Sequence, residues 1–261
     1  DTERAARLRH ARSYANLLRG MRNLYQRGKE QIAQALALFD QERQQTDAVW
    51  QWLLAEAARG TANADLDQVT LAMANTTVYP GELRSSKVER SSQLEAWRAA
   101  ARRLDDKSAE GSALSKLGSA HYALGDARRA IPYHAQALVI SRVIGDWRAE
   151  GHDLSKLGNA YQTLGEIPQA IRYYQQALEL ACAIGDRQNE AIHSWNLGVL
   201  YEQQGDLAQA AQVMQVAAEC YIAIGQAHYA QRCSDEATWM WARLAGGGGQ
   251  VSGGSPRRPS P

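Results

Sequence analysis

Apolar residues recur with helical spacing along most of this chain, and from Gly111 onward the spacing itself recurs every forty positions. In the block that begins at Gly111, Leu114, Leu117, Ala120 and Leu124 mark one face of a first helix, and Ala130, Ile131, Ala137, Leu138 and Ile144 mark one face of a second. The block beginning at Gly151 repeats them as Leu154, Leu157, Ala160, Leu164, Ala170, Ile171, Ala177, Leu178 and Ile184, and a third block begins at Ala191. Glycine followed by an acid punctuates the pattern. Gly125-Asp126, Gly165-Glu166 and Gly205-Asp206 separate the two helices of a block, whereas Gly145-Asp146 and Gly185-Asp186 divide each block from the next. Glycine supplies the left-handed residue that ends a helix, and the carboxylate after it can cap the next one. The pattern predicts helical hairpins near 107–124 with 127–144, 147–164 with 167–184, and 187–204 with 207–224. A fixed period between about 20 and 50 residues marks a solenoid, in which each unit buries its apolar face only against its neighbours.

The small residues have a packing reason. Gly118, Gly158 and Gly198 lie inside the first helices, where glycine costs about 1 kcal/mol against alanine, so close helix approach is expected there. Ala130, Ala170 and Ala210 are expected to meet them from the second helix. Pro168 falls in the first turn of its helix, whereas Pro132 sits further in and is expected to kink or loosen the helix start.

Residues 1–105 are helical in pattern but irregular. Apolar positions run through Thr2 to Gln26 (Leu8, Leu17, Leu18, Met21, Leu24) and through Glu30 to Arg59 (Ile32, Leu36, Phe39, Val49, Trp50, Leu53). Lys87 to Leu104 aligns with the second helix of a block, Leu94 falling on His134 and Trp97 on Ala137, which makes about 65–105 a degenerate repeat. Tyr79-Pro80-Gly81 is a turn signal within it. Three repeats then occupy 106–225, a capping helix 226–245, and a flexible Gly/Ser/Pro tail 246–261.

Composition agrees with an all-α protein: alanine, leucine, glutamine, arginine and glutamate dominate, with one phenylalanine. A formal net charge of +1 gives no global case for nucleic acid or an anionic membrane. The first helix is locally basic (Arg4, Arg7, Arg9, Arg12, Arg19, Arg22, Arg27, Lys29), but its arginines spread over several faces, which favours a solvated face or docking to a neighbouring domain over phosphate contacts. No membrane span or secretion signal is seen, so a soluble, cytoplasmic chain is expected. Cys182, Cys220 and Cys233 are an odd number without CxxC spacing, read as free thiols. The chain opens at Asp1 inside a helical pattern and is read as a piece of a longer protein.

No phosphate loop, dinucleotide turn, HExxH helix or nucleophile elbow occurs, so no catalytic residue, metal or cofactor is expected, and the chain is read as no enzyme. His121 and His134 replace interior aromatic positions and read as core or boundary histidines.

The forty-residue pattern resembles the tetratricopeptide repeat family. Leu157-Gly158, Tyr161, Leu164-Gly165, Ala170, Tyr174 and Ala177 match its motif fully, while the first block departs at His121 and His134 and the third at Gln204 and Met214. The family's usual repeat is shorter, and a longer second helix ending in Ile-Gly-Asp fills the extra length. The resemblance implies an α-α superhelix whose first helices line a concave groove. Carried over position by position, that groove presents Ser115, Lys116, Ser119 and Tyr122 from the first block, and His152, Lys156, Asn159 and Gln162 from the second. The third contributes Trp195, Asn196, Val199, Glu202 and Gln203. Lysine and asparagine could hold a peptide carboxylate or backbone and the aromatics could anchor apolar groups. The carboxylate clamp of chaperone-binding members is matched only partially, since Asn159 and Asn196 do not fall in the successive repeats such a clamp uses.

Glu3 to Tyr14 and Gly28 to Glu42, with Ala35-Leu36-Ala37-Leu38-Phe39-Asp40, resemble the junction that precedes the repeats in bacterial STAND regulators, which are NLR-like proteins with an NB-ARC-type nucleotide-binding core. That resemblance implies a ligand-sensing arm for a protein or peptide, with a nucleotide-binding domain upstream. The alternative is a free-standing scaffold that bridges protein partners.

Overall fold

The computed structural model describes residues 2–60, 63–84 and 87–246. Among them are twelve α-helices and no strand: α1 (Thr2–Tyr25), α2 (Lys29–Gln41), α3 (Arg43–Ala58), α4 (Ala64–Arg84), α5 (Lys87–Arg103), α6 (Lys107–Ala123), α7 (Ala127–Ile144), α8 (Trp147–Thr163), α9 (Ile167–Ile184), α10 (Arg187–Gln203), α11 (Leu207–Ala223) and α12 (Ala227–Ala245). The all-α class is the one the periodicity predicts. Beyond Gly246 the expected flexible tail lies outside the described residues. The chain forms two compact units, Asp1–Asp153 and Leu154–Pro261, and α8 contributes its first turns to one and the rest to the other.

Helix ends follow the local chemistry read above. Gly145 and Gly185 close α7 and α9 in the left-handed conformation, where a side chain would be strained. Asp106, Asp126, Asp146, Asp186 and Asp206 each accept the backbone N–H three residues on, at 2.9–3.1 Å. Each such cap contributes about 1 kcal/mol. Glu166 makes no side-chain cap bond, its extra methylene placing the carboxylate wrongly for this short reach. The proline in α7 does not break it: the helix runs unbroken from Ala127 to Ile144 across Pro132.

In the first unit α1 packs on α2 and α4, α4 on α5, α5 on α6, and α6 on α7. The core joins Leu18 and Met21 of α1 to Trp50 and Leu53 of α3, Met73 of α4 and Trp97 of α5. Arg103 grips the buried Asp67 with two hydrogen bonds of 2.7 and 2.8 Å, tying α5 to α4. Arg4 and Arg59 both reach the buried Glu56, at 3.0 and 3.1 Å, and Arg12 pairs with Asp65. Some of the basic stripe of α1 therefore serves as internal ion pairing.

Two local expectations change. The apolar run from 30 to 59 is split at Glu42 into α2 and α3, where the Tyr14 hydroxyl hydrogen-bonds the Glu42 carboxylate. The Tyr79-Pro80-Gly81 turn is absent, since the backbone of α4 continues in helix through Arg84.

In the second unit α9 packs on α10, α10 on α11 and α11 on α12. Ala237 and Met240 of α12 enter one core with Leu197, Leu200 and Met214, so the last hairpin's apolar face is covered by its own chain.

Large side chains of the second helices lie nearest the glycines inside the first helices. A Cβ on Gly118 would lie 2.6 Å from the His134 ring, one on Gly158 2.8 Å from the Tyr174 ring, and one on Gly198 2.7 Å from Met214 Cε. A rigid ring cannot yield, whereas an unbranched methionine can turn about its side-chain bonds. Gly158→Ala is therefore expected to destabilise the chain by about 1–2 kcal/mol net of helix propensity. Gly198→Ala should cost less than that, because Met214 can change rotamer to move its Cε and Cγ, 2.7 and 2.8 Å from the added Cβ. Urea midpoints of the two variants followed by circular dichroism check the order.

Candidate functional site

Three positions of the expected groove meet in the first unit. Ser115 on α6 donates to Asp153 Oδ1 at 2.7 Å, and its hydroxyl lies 3.3 Å from His152 Nδ1. From α7, His134 brings Nδ1 to the same Oδ1 at 2.9 Å, with both side chains almost wholly buried. Burial alone would raise the Asp153 carboxyl, but hydrogen bonds from His134 and Ser115, with His152 Nδ1 3.7 Å away, outweigh it and hold it below the usual carboxylate range. The group is thus a buried, charged acceptor. Beside it opens a recess of about 240 Å³ lined by Ser112, Ser115 and Lys116 of α6, Ile140 of α7, and His152 and Asp153 of α8, among others. Lys116 is thereby the third groove position at this recess, with Ser115 and His152. Ser119 is half-buried and Tyr122 exposed, and neither lines it.

The serine, histidine and aspartate do not form a nucleophilic relay. A relay needs the imidazole between hydroxyl and carboxylate, one ring nitrogen to each. Here the serine binds the carboxylate directly, and His152 turns one nitrogen, Nδ1, toward both.

Asp153 is a site residue that position-by-position reading missed, although a signal was present. His134 stands where the following blocks carry Tyr174 and Met214, and Asp153 stands where the neighbouring blocks carry Ala113 and His193. Polar departures on the second helix of one block and the first helix of the next mark a facing pair.

In the second unit the remaining positions serve structure and surface in different measure. The Tyr174 hydroxyl hydrogen-bonds Asn159 Oδ1 and lies 3.1 Å from Gln162 Oε1, so both amides are engaged by a buried ring. Lys156, Asn196 and Glu202 are half-buried and Gln203 exposed. The half-buried Trp195 carries the Arg232 guanidinium 5.0 Å from its ring centre, a cation–π contact between α10 and α12. Val199 does not belong to a groove: it is 8 % exposed and sits in the core, in an unbroken buried run from Leu197 to Tyr201. Its apolar side chain takes the place of half-buried Ser119 and Asn159 because α12 adds Ala237 and Met240 to that core.

His121 stacks on Tyr133 at 5.2 Å, while His134 and His193 are core residues. Among the described residues no group of histidines, cysteines and acids is placed to hold a metal. Cys182, Cys220 and Cys233 are free thiols, and burial pushes Cys233 up to about 12. No described helix is long and apolar enough to cross a membrane.

The tetratricopeptide repeat family model matches residues 109–183 and again 154–223. Among solved structures, the apo form of RapI is similar over 93% of this chain and 72% of its own, with 13% identity and a TM-score of 0.59. A Signal Transduction ATPase with Numerous Domains (STAND) protein with a tetratricopeptide repeat sensor, from Pyrococcus horikoshii, is similar over 95% of this chain at 19% identity and a TM-score of 0.50. The chain spans 47% of that protein's length. At these identities the likeness establishes the helical-repeat fold. None of the curated proteins matches the sequence.

His193 supplies a pH test of the second unit. Burial pushes it from 6.5 down to about 4, against an upward pull from Asp186. The unfolded chain therefore takes up a proton that the folded chain refuses. Stability is full above about pH 6.5 and falls toward pH 4, by about 3 kcal/mol over the window. Urea midpoints at pH 7 and pH 5 should differ less in His193→Leu than in wild type; equal differences would remove His193 from the account.

Proposed function

We propose that this chain binds a protein or peptide through the polar faces of its first helices, and does so as the ligand-sensing arm of a larger STAND-type signalling NTPase. The observation that carries the binding role is the tetratricopeptide match over 109–223 together with half-buried, hydrogen-bonding side chains on α6, α8 and α10. Ser115, Lys116 and His152 gather at one recess, and Lys156, Asn196 and Glu202 remain half-buried farther along the chain. Solenoids of this kind use such faces for extended ligands. In this reading 1–105 is the junction to the nucleotide-binding core, 106–225 the three repeats and 226–245 the cap.

The sensor role is supported by the junction-like front segment and by the fold shared with the STAND protein from Pyrococcus horikoshii. Its mechanism is differential binding: a ligand that prefers one arrangement of the arm shifts the full protein toward it. The arm performs no chemistry. Partners are a protein or peptide on the first helices and a nucleotide-binding domain earlier in the same polypeptide.

Two measurements test this reading. Lys116→Glu with Lys156→Glu is expected to reduce capture of the chain's partner from native lysate at least tenfold while leaving far-ultraviolet circular dichroism unchanged. Asn159 is left intact in that variant because Tyr174 depends on it. Unchanged capture would move the binding face elsewhere. The complete gene should encode a phosphate-loop motif upstream of Asp1; its absence would leave the free-standing scaffold.

A further inference from the structure

We propose that the recess between α6, α7 and α8 receives a guanidinium or ammonium group on an alkyl stem, as presented by an arginine or lysine side chain of the bound peptide. This inference rests on the reading of the first helices as a peptide-binding face and names what one stretch of that face selects.

The first observation is an acceptor with a free half. Asp153 is 1 % exposed and lines the recess. Its contacts with Ser115, His134 and His152 all converge on Oδ1, and Oδ2 makes no hydrogen bond to any described residue. An ionised carboxylate offers acceptor sites on both oxygens. A donor entering the recess would complete the set, and a charged donor would form the stronger bond.

The walls suit the stem. Ala137, Ile140, Ile144 and Ala149 face the recess with apolar groups. Methylenes can lie along such a surface while a charged head reaches a polar partner. About 240 Å³ is room for one long side chain. The charges choose the sign: Asp146 and Asp153 line the recess against the single cation Lys116, so an anionic ligand would be driven toward a buried carboxylate.

The repeat itself provides the control. Forty positions on from Ser108, Ser112 and Ala149 stand Arg148, His152 and Asn189, and His193 follows Asp153. Small residues and the acid occur together at this one interval. The fold does not demand them, because the neighbouring block does without them.

The test is a titration of the ¹⁵N-labelled chain with N-acetyl-arginine amide, followed by amide chemical shifts. Shifts should concentrate in the segments around 108–116, 137–144 and 146–153, and Asp153→Asn should weaken binding at least tenfold. If that variant unfolds through loss of the His134 partner, Ser112→His keeps Asp153 and fills the recess with the residue the next block carries; it should weaken binding by the same factor. N-acetyl-norleucine amide and N-acetyl-glutamic acid amide should leave these amides unmoved. Equal binding of the norleucine probe would make the recess merely apolar, and preferential binding of the glutamate probe would reverse its charge preference. Arginine-probe binding unaffected by Ser112→His, or no binding at all, also overturns the assignment. None of these outcomes depends on the lysate capture above, which can succeed or fail separately.

Discussion

The close approach of the two helices in each hairpin is the constraint on which the rest of this protein depends. A first helix without a Cβ at Gly118, Gly158 or Gly198 lets a large side chain of the second helix lie against its backbone. Glycine there costs about 1 kcal/mol of helix propensity, and ring or thioether packing offsets it. The side chain that fills the space differs in chemistry from block to block: histidine, tyrosine, methionine. Each choice brings its own demand for partners.

Methionine demands none, and the third block answers with an apolar core shared with α12. Tyrosine brings a hydroxyl into the interior, and Asn159 and Gln162 turn toward it. Histidine brings a ring nitrogen, and a buried aspartate answers from the next helix. The polarity of the inner face therefore follows from which residue covers the glycine. A carboxylate has more acceptor capacity than one histidine and one serine use, so the packing solution in the first unit leaves chemistry open to a ligand.

Electrostatics inside the chain serve the same end. Buried acids at Asp67 and Glu56 each take an arginine from another helix, as Glu110 does from Arg102 at 2.6 Å. Breaking such a pair would leave an uncompensated charge, so these contacts specify which helices adjoin even where their net contribution to stability is small. Arginines of the basic stripe of α1 are partly accounted for by such pairs, Arg4 with Glu56 and Arg12 with Asp65.

Much of the architecture was legible because it is local. Capping aspartates, left-handed glycines and a spacing of 3.6 residues act within a turn or two, and α6 to α12 begin and end within about a residue or two of where those signals place them. The groove residues were legible only as positions. What the sequence by itself determined was an all-helical chain of hairpins with a repeated inner face. The tertiary structure decided what covers each glycine, that Val199 is core because α12 reaches it, that Glu42 divides a long apolar run, and that Asp153 meets His134. These outcomes depend on which surfaces exclude water together, and burial is a property of neighbours brought from elsewhere in the chain.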